Sequence, residues 1–365
     1  MATELSIIVP VYNAKEHLPA CVDALLAQLP ERAEIILVDD GSTDGSGELC
    51  DGYAAQNGFV RVLHQENLGA MRARKTGLGA AQGRYVTFAD ADDVADAGYY
   101  AALVTRAGES GADIVCCGFV QEERADTRMT AAYSQKILLN AVPDGVYEGK
   151  KLKELYGSMV NVLPYYTFGI WPSQWSKIFR RETVYEAQMQ APDEVRAGDD
   201  ACVVYAALLA AQRVVVANDL CGYHYRMQAG SITHSKDPRY YHRVSVLYRY
   251  LRELFQAQEQ DISALLMPQL ARYRMYLVEE VLSLKEEMLL AEPDLTEDEI
   301  KKRTLLLTGG AAIFDGIADT KVEGVSAGKC KRTALAAKGD WKAVERSMRR
   351  AGWKGRVVGL FRGSI

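Results

Sequence analysis

Long apolar runs are absent from this sequence of 365 residues. No window approaches the roughly 18 uninterrupted apolar residues that a membrane-spanning helix needs. The segment Met1 to Glu4 also lacks the basic and then apolar stretches of a secretory signal peptide, and a strand-like segment follows almost at once. From these absences we expect a cytoplasmic protein without a transmembrane helix.

Metal-binding cysteine motifs and an excess of positive charge are absent as well. The seven cysteines are scattered, mostly in apolar surroundings, and form no C-x-x-C pair, so we expect buried free thiols rather than a zinc site. The formal net charge of −5 provides no overall attraction to nucleic acid, which we exclude as a partner. With 48% apolar and 25% charged residues, the chain can form one large domain, or one domain with an appended piece.

Short β-branched runs alternate with amphipathic stretches over the first part of the chain. The predicted strands cover 6–12, 34–38, 59–64, 84–89 and 113–117. The predicted helices cover 15–28, 46–56, 68–81 and 99–106. This alternation builds right-handed βαβ units, so we predict an α/β fold with a mostly parallel central sheet flanked by helices. Ligands of such sheets bind beyond the carboxyl ends of the strands.

The pattern changes twice further along the chain. Residues 120–165 are less regular, and they are followed by a predicted helix over 201–212 and strands over 214–217 and 221–225. From about residue 240 helical periodicity dominates, punctuated by Pro238, Pro268 and Pro293. We therefore divide the chain into a domain over 1–235, with halves 1–118 and 119–235, and a helical C-terminal region over 236–365. That region is a candidate homodimer surface.

Acidic and polar residues end three of the first four predicted strands, beginning with Tyr12-Asn13 after the first. Asp39-Asp40 follows the second strand, where a turn or a contact to a nucleobase N–H or ribose hydroxyl would both suit the residues. Asp90-Ala91-Asp92-Asp93 follows the fourth strand. Its carboxylates repel one another unless a cation offsets their charge, and Mg²⁺ or Mn²⁺ binds one or two carboxylates together with substrate phosphates. The alternative is an acidic cluster that favours the dipole of the next helix.

Two later motifs carry further candidate groups. In Gly198-Asp199-Asp200, either carboxylate could cap the helix that follows, or could act as a general base that deprotonates an acceptor hydroxyl. The segment 223–234 combines Arg226 with hydroxyl and histidine side chains, which together suit phosphate binding. The alternative for this segment is a surface loop after a strand. We assign no role to His17, His64 or Asp93.

Several ordered segments resemble the family 2 glycosyltransferases. These are SIIVPVYN at 6–13, VDDGSTDGS at 38–46, NLGAMRARKTG at 67–77 and YVTFADADD at 85–93, the last of which is similar to the family's D-x-D segment. The resemblance covers roughly residues 1–235. It implies the GT-A fold of nucleotide-diphospho-sugar transferases and an enzyme that moves a hexosyl or N-acetylhexosaminyl group.

The resemblance also implies roles for individual residues. Asp40 matches the acceptor of the nucleobase N–H, Asp90 the ribose and sugar contact, and Asp92 the ligand of a Mn²⁺ or Mg²⁺ cofactor. The donor-binding positions that it implies are Pro10, Tyr12, Asp40, Asn67, Arg74 (or Arg72), Asp90, Ala91, Asp92, Arg226 and Ser231. Arg226 and Ser231 match a segment that closes over the diphosphate.

The implied reaction is a single in-line displacement with inversion. Asp200 matches the base of the family's Gly-Glu-Asp pattern, and Asp199 stands where that pattern has glutamate. Asp199 and Trp175 are the candidate acceptor contacts. The donor is a nucleotide sugar, in this family usually a UDP-sugar, and the acceptor a saccharide or lipid-linked molecule of cell-surface polysaccharide or glycolipid synthesis.

Residues 341–365 contain seven basic residues and one acidic residue among aromatic and apolar ones, so they either contact a membrane surface or dock as a terminal helix.

A sugar-nucleotide pyrophosphorylase is disfavoured, because no Gly-rich basic loop lies near Pro10. A non-catalytic sugar-nucleotide-binding or assembly protein is the remaining alternative, against which Asp92 and Asp200 weigh.

Overall fold

A computed structural model of the protein describes residues 3–124, 133–163, 166–195, 198–227, 240–291, 313, 321–338, 340, 343–344 and 346–347. The chain divides into two compact units. The first unit comprises residues 1–156 and 170–233, and the second comprises 157–169 and 234–365. The sequence-based division had placed 157–169 in its first domain, and its division into functional halves stays a prediction. Ser231 and most of 341–365 lie outside the described residues.

The described residues form the following strands and helices. The strands are β1 Leu5–Val11, β2 Ala33–Asp39, β3 Val60–His64, β4 Tyr85–Phe88, β5 Val94–Ala95, β6 Ile114–Cys117, β7 Phe119–Arg124, β8 Tyr133–Leu138, β9 Gly145–Glu148, β10 Asn161–Val162, β11 Thr167–Phe168, β12 Lys177–Arg180, β13 Arg213–Ala217 and β14 Tyr223–Met227. The helices are α1 Leu18–Ala27, α2 Ser46–Gln56, α3 Ala70–Ala80, α4 Tyr99–Ser110, α5 Leu152–Tyr156, α6 Arg181–Gln190, α7 Asp199–Ala210, α8 Tyr240–Gln256, α9 Gln260–Ala291 and α10 Ala327–Ala337.

An eight-stranded sheet forms the centre of the first unit, in the order β3-β2-β1-β4-β12-β6-β13-β9. The strands β3, β2, β1 and β4 pair in parallel, and so do β6 and β13. Only β12 and β9 run antiparallel to their neighbours in this sheet. The predicted α/β fold with a mostly parallel central sheet is therefore confirmed. Apolar β-branched side chains fill β1 and β2, whose residues are almost all buried, as expected for strands covered on both faces.

The strand register brings the polar strand ends to one edge of this sheet. Val11 lies opposite Asp39 in the β1–β2 ladder, and Ile8 lies opposite Phe88 in the β1–β4 ladder. The residues that follow these strands are therefore neighbours at the carboxyl edge. This is the arrangement that the alternation of strands and helices predicted.

The region 120–165 is more regular than the sequence indicated. It contributes β7 and β8 to a second sheet in the order β5-β14-β7-β8, and β9 to the edge of the central sheet. Strands β7 and β8 form an antiparallel hairpin, and β7 pairs in parallel with β14. These strands, FVQEER and YSQKIL, mix charged and polar residues with apolar ones, so they lack the apolar run that reveals a buried strand.

Helix α3 packs unusually close to the central sheet at Gly77. A Cβ atom at Gly77 would lie 2.5 Å from Ile8 Cγ2 and 3.2 Å from Val38 Cγ2, whereas one at Gly79 would have no neighbour within 4 Å. Replacing a helical glycine with alanine ordinarily stabilises by about 1 kcal/mol. We expect Gly79→Ala to raise the free energy of unfolding, and Gly77→Ala to lower it by about 1–3 kcal/mol through overpacking. Urea titrations of the two variants test this, and equal effects would contradict the close packing.

Five of the seven cysteines confirm the expectation of buried free thiols: Cys21, Cys50, Cys116, Cys117 and Cys202. Cys221 and Cys330 are free and partly exposed. Burial raises the pKa of the five buried thiols. They therefore stay protonated and act as small apolar side chains of the core.

Helices dominate the described part of the second unit, as the sequence predicted. Helix α9 continues through Pro268, one of the prolines that punctuate the helical pattern, and the buried side chains of Leu266 and Leu270 hold the turns on either side. An ion pair between Arg332 and Glu279 joins α10 to α9 over 2.9 Å. In the described segments, no helix combines the length and apolarity that crossing a membrane would require.

Candidate active site

Hydrogen bonds tie together the loops that follow β1 and β2. Asn13 Oδ1 accepts from the Thr43 backbone N–H at 2.8 Å, and Ser42 Oγ accepts from the Asn13 backbone N–H at 3.0 Å. Asn13 adopts a left-handed backbone conformation with φ of 48°, which asparagine tolerates. Next to this turn, Tyr12 exposes its ring and Pro10 is half-buried. The loops thus form a rigid edge that presents an aromatic face.

The two acids that end β2 have different surroundings. Asp39 Oδ1 accepts from the Ser42 backbone N–H at 3.0 Å, which is the turn contact that was one of the two interpretations of this pair. Asp40 is buried, and its carboxylate accepts from Gln65 Nε2 and from the backbone N–H groups of Leu68 and Gly69 just before α3. Among the described residues its Oδ2 accepts one hydrogen bond, from Gly69, so that oxygen retains acceptor capacity.

His64, which the sequence left without a role, bridges two carboxylates. Its Nδ1 lies 3.0 Å from Asp39 Oδ2 and its Nε2 lies 3.0 Å from Asp51 Oδ1. Hydrogen bonds to these two acids raise the pKa of His64 above its usual value of 6.5. Its stabilising contribution is therefore complete below about pH 6.5 and is lost as the pH rises through the higher folded-state pKa.

This titration predicts a pH-dependent effect of His64→Gln. The side chain is 48% exposed, so solvent screens the pairs, and we expect a loss below about 1 kcal/mol. Urea titrations should give a larger difference from wild type at pH 5.5 than at pH 9. A difference that does not vary with pH would contradict the bridge.

Hydrogen bonds join the acidic segment after β4, residues 90–93, to strand β14. Tyr223 Oη accepts from the Asp90 backbone N–H at 3.0 Å and donates to Asp93 Oδ2 at 2.8 Å. Asp93 Oδ1 accepts from the Arg226 backbone N–H at 2.7 Å. Burial raises the pKa of Asp93 well above its usual value, and the charge of Asp90 adds to this. Asp93 is thus the buried anchor of the segment. The helix-dipole alternative is wrong, because α4 begins only at Tyr99 with Gly98 as its N-cap.

Asp92 lies at the surface side of the same segment. It is partly buried, and no ion pair or side-chain hydrogen bond joins its carboxylate to another described residue. Burial raises the pKa of Asp92, which a bound cation would reverse. The described residues contain no group of three or more His, Cys, Asp or Glu side chains suited to a metal. A Mg²⁺ or Mn²⁺ ion held by one carboxylate, water and substrate phosphates fits such a site.

The guanidinium of Arg74 connects the acidic segment to the start of α7. Its Nη2 lies 2.8 Å from Asp90 Oδ1, and its Nη1 lies 3.1 Å from Asp199 Oδ2 and 3.3 Å from Asp200 Oδ1. The Arg74 side chain is 6% exposed, whereas Asp90 and Asp200 are 27% and 19% exposed. The arginine is therefore almost completely buried, and the carboxylates that it contacts are only partly exposed. The neighbouring Arg72 points away, to Asp193.

Arg74 and the three acids that it contacts, Asp90, Asp199 and Asp200, form a cluster in which the pKa of two of the acids is raised. Burial raises the pKa of Asp90 to about 6, against the opposing effect of Arg74. Burial and the charge of Asp200 raise the pKa of Asp199 to about 6 as well, again opposed by Arg74. Three acids on one guanidinium leave an excess of negative charge, so the site favours a cationic partner.

Asp199 and Asp200 occupy the first turn of α7 without capping it. The N-cap is Gly198, in a left-handed conformation with φ of 70°, and no side chain accepts at the cap. The alternative interpretation of this motif as a helix cap is therefore wrong. Asp200 instead accepts from Gln174, whose backbone N–H reaches Oδ2 at 3.2 Å and whose Nε2 reaches Oδ1 at 2.9 Å.

The other described residues of the predicted site differ in their burial and contacts. Arg226 lies on β14, where its Nε donates to Glu122 Oε2 at 3.1 Å. Asn67 is exposed and Ala91 is buried. Trp175, a candidate acceptor contact, is buried in an aromatic stack, with ring centroids 4.6 Å from Tyr223 and 5.5 Å from Tyr225. These distances describe a packing role within the first unit.

The structure also reveals site residues that sequence reasoning missed. Asp93, Gln174, Tyr223 and Glu122 were not assigned, although each contacts a predicted site residue. Asp93 carried a signal, because it belongs to the acidic segment. Tyr223 lay in the segment 223–234 that the sequence singled out, but its partner Asp93 is 130 residues away in sequence. Gln174 carried no signal, since its contact with Asp200 spans 26 residues and follows no recognisable motif.

A mostly parallel sheet with carboxylates at its carboxyl edge is the ligand-binding arrangement of an α/β enzyme, and comparisons with known proteins identify the family. The family described as glycosyl transferase family 2 matches residues 6–167. Glycosyltransferase GlyG of Streptococcus pneumoniae serotype 4 is 32% identical over 242 residues, which are 64% of this chain and 73% of GlyG. The chain belongs to glycosyl transferase family 2.

Solved structures share the fold at low sequence identity. S. aureus TarS 1–349 in complex with UDP-GlcNAc matches with a TM-score of 0.66 and 18% identity, over 96% of this chain and 92% of TarS 1–349. The mannosyltransferase PcManGT from Pyrobaculum calidifontis, in complex with GDP-Man and Mn²⁺, matches with a TM-score of 0.51 and 17% identity, over 93% and 86%. The predicted GT-A fold is confirmed.

Proposed function

We propose that this glycosyltransferase moves a hexosyl or N-acetylhexosaminyl group from a UDP-sugar to a hydroxyl group, with inversion. Its acceptor is a saccharide or lipid-linked molecule of cell-surface polysaccharide or glycolipid synthesis. The observation that carries the proposal is the Arg74 cluster, which holds Asp90 and Asp200 at one edge of the sheet although 110 residues separate them in sequence. The UDP-GlcNAc complex of TarS supports a uridine donor.

Asp200 is the general base of this proposal. As the acceptor oxygen bonds to the anomeric carbon, the bond from that carbon to the phosphate oxygen breaks, and its electron pair leaves with the nucleoside diphosphate. Asp200 takes the acceptor proton, for which its partial exposure leaves access. Asp90 contacts the sugar and ribose from the opposite side of the Arg74 guanidinium. Because both carboxylates are bound to the same guanidinium, Arg74 fixes the position of the base relative to the residue that contacts the donor.

Asp92 would hold the divalent cation, Mn²⁺ or Mg²⁺. When bound, the ion neutralises charge on the donor diphosphate. The free carboxylate of Asp92 supports this assignment, as does the Mn²⁺ named with PcManGT. In this proposal the nucleobase contacts the exposed ring of Tyr12 and the neighbouring Pro10. Asp40 accepts hydrogen bonds from the backbone just before α3 and so fixes the start of that helix.

Asn67, Ala91 and Arg226 complete the described donor site in this proposal. Arg226 contributes positive charge near the acidic segment, since its backbone is bonded to Asp93 and its charge acts on Asp92. Ser231, the last residue of the proposed set, lies outside the described residues. Peripheral membrane contact through 341–365 stays a prediction, and liposome flotation of the full chain against a 1–340 truncation tests it.

A donor panel tests the proposed function. Melting temperatures are measured with UDP-GlcNAc, UDP-glucose, UDP-galactose and GDP-mannose, with Mn²⁺ or with EDTA, and release of the nucleoside diphosphate is followed with water as acceptor. We expect one UDP-sugar to raise the melting temperature and to be hydrolysed, both only with Mn²⁺ or Mg²⁺. Donor binding without any release would favour the non-catalytic alternative, and an absence of both would overturn the proposal.

A further inference from the structure

Gln174 holds both oxygens of the Asp200 carboxylate. Its backbone N–H donates to Oδ2 at 3.2 Å and its side-chain Nε2 donates to Oδ1 at 2.9 Å. The other described contact of this carboxylate is Arg74 Nη1, at 3.3 Å from Oδ1. Arg74 is shared among three acids, so it does not by itself set the direction of the Asp200 side chain. The two donors of Gln174 do, because they fix the plane of the carboxylate.

The loop that carries Gln174 is wrapped around a buried ammonium group. Lys177, at the start of β12, is fully buried, and its Nζ donates to Trp171 O at 2.5 Å, Ser173 O at 2.8 Å and Ser176 Oγ at 3.2 Å. The Lys177 backbone N–H donates to Gln174 O at 3.2 Å. All three ammonium protons are used on this loop. Movement of the loop would leave a buried charge without partners, so the position of Gln174 is strongly held.

The glutamine side chain serves stability poorly. Gln174 is fully buried, and its Oε1 has no hydrogen-bond partner among the described residues. An unpaired buried acceptor costs about 1–3 kcal/mol, which an apolar side chain of similar size would avoid. A residue selected for packing at this position would therefore be leucine or methionine. The amide is explained by what its Nε2 contacts, which is Asp200.

We propose that Gln174 is a positioning residue that orients the Asp200 carboxylate toward the acceptor hydroxyl. The inference rests on the proposed function, in which Asp200 is the base. Gln174 acts through Asp200 and not on the donor, because its contacts among the site acids are to Asp200 alone. Loss of the Nε2 contact leaves the backbone N–H on Oδ2 and the shared Arg74 guanidinium on Oδ1, which hold the plane of the carboxylate less tightly. A displacement of the order of 1 Å in such a group lowers a rate by about 10²-fold.

A double-mutant cycle tests the inference. The variants are Gln174→Leu, Asp200→Asn and their combination, and the reaction is hydrolysis of the donor that the panel identifies, followed as nucleoside diphosphate release. We expect Gln174→Leu to lower kcat about 10–100-fold with the donor KM within about twofold, since misplacement affects the reacting group only. In the Asp200→Asn background, the same change should alter kcat by less than about twofold, because residues that act as a unit are not additive.

A matched control separates positioning from packing. Gln188 is also fully buried with an unpaired Oε1, but its Nε2 lies 3.0 Å from Met71 Sδ instead of a carboxylate. Gln188→Leu makes the same change in a similar environment and should leave kcat at the wild-type value. Gln174→Leu removes a hydrogen bond to a carboxylate together with the unpaired Oε1, so the melting temperatures of both variants are measured to confirm that each is folded at the assay temperature.

The outcomes separate failure of the inference from failure of the proposed function. If Asp200→Asn retains wild-type hydrolysis, or if no donor is turned over, the assignment of the base is wrong and the inference falls with it. If Asp200→Asn is inactive while Gln174→Leu is fully active, Gln174 does not position the base. The inference is also overturned if Gln174→Leu lowers kcat by the same factor in both backgrounds, or if it raises the donor KM as much as it lowers kcat.

Discussion

Asp200→Asn should lower nucleoside diphosphate release by about 10³-fold, because general-base catalysis contributes about 10²–10⁴-fold. The amide keeps the shape of the carboxylate and one of its acceptor oxygens, but it cannot take the acceptor proton. Donor binding should be unchanged, since the donor contacts proposed here lie on the strand ends and not on α7. The melting-temperature shift with the donor and Mn²⁺ therefore stays, while turnover is lost.

Asp219→Asn provides the control for this substitution. Asp219 is an exposed acid that pairs with Arg106 over 2.7 Å, so the same chemical change there removes only a surface ion pair. Turnover of this variant should match the wild type. An Asp200→Asn enzyme within about threefold of the wild-type rate would remove Asp200 from the role of base.

Arg74→Met should have the largest effect on stability. It removes the cation that three acids share, and breaking a buried pair by removal of one partner costs about 3–5 kcal/mol. Turnover should be lost together with stability, because Asp90 and Asp200 are no longer held at one centre. The matched control is Arg72→Met on the same helix, whose side chain is 47% exposed and pairs with a 41% exposed Asp193. That change should cost less than about 1 kcal/mol.

The effect of Arg74→Met should also depend on pH. The pKa of Asp90 and Asp199 is raised to about 6, so in the folded protein both carboxyls are largely protonated at pH 5 and ionised at pH 8. Groups with a raised folded-state pKa contribute stability below their unfolded pKa and lose it as pH rises through the folded one. Without Arg74 this loss becomes larger. Urea titrations should show a greater difference from wild type at pH 8 than at pH 5, and the reverse order would contradict the cluster.

The predicted strands and the acidic strand ends were recognised from local pattern. Apolar β-branched runs identify buried strands wherever they occur, and Asp39, Asp40 and Asp90 follow such runs directly. Helix α2 was predicted with the bounds Ser46–Gln56 that the structure has. The strands β7 and β8 were missed, because half-exposed strands have mixed composition. Helix α9 contains Pro268 because tertiary packing outweighs local propensity there.

The interpretation of individual acids depended on contacts that the sequence does not encode locally. Asp93 had no assigned role until Tyr223 and the Arg226 backbone were found bonded to it, across 130 and 133 residues. Arg74 was expected to line the nucleotide, whereas its guanidinium is buried under Asp90 and Asp200. Residue type indicates which bonds a side chain can form, but only the fold decides which partner is near enough.

From the sequence alone, the fold class, the family resemblance and the edge that carries the site follow, because each depends on short-range patterns and strand order. The tertiary structure decided which acids share a cation, which one is a buried anchor and which one Gln174 holds at both oxygens. The reason is physical. Burial and charge separation set the protonation and direction of a carboxylate, and both arise only when separate elements of the chain pack together.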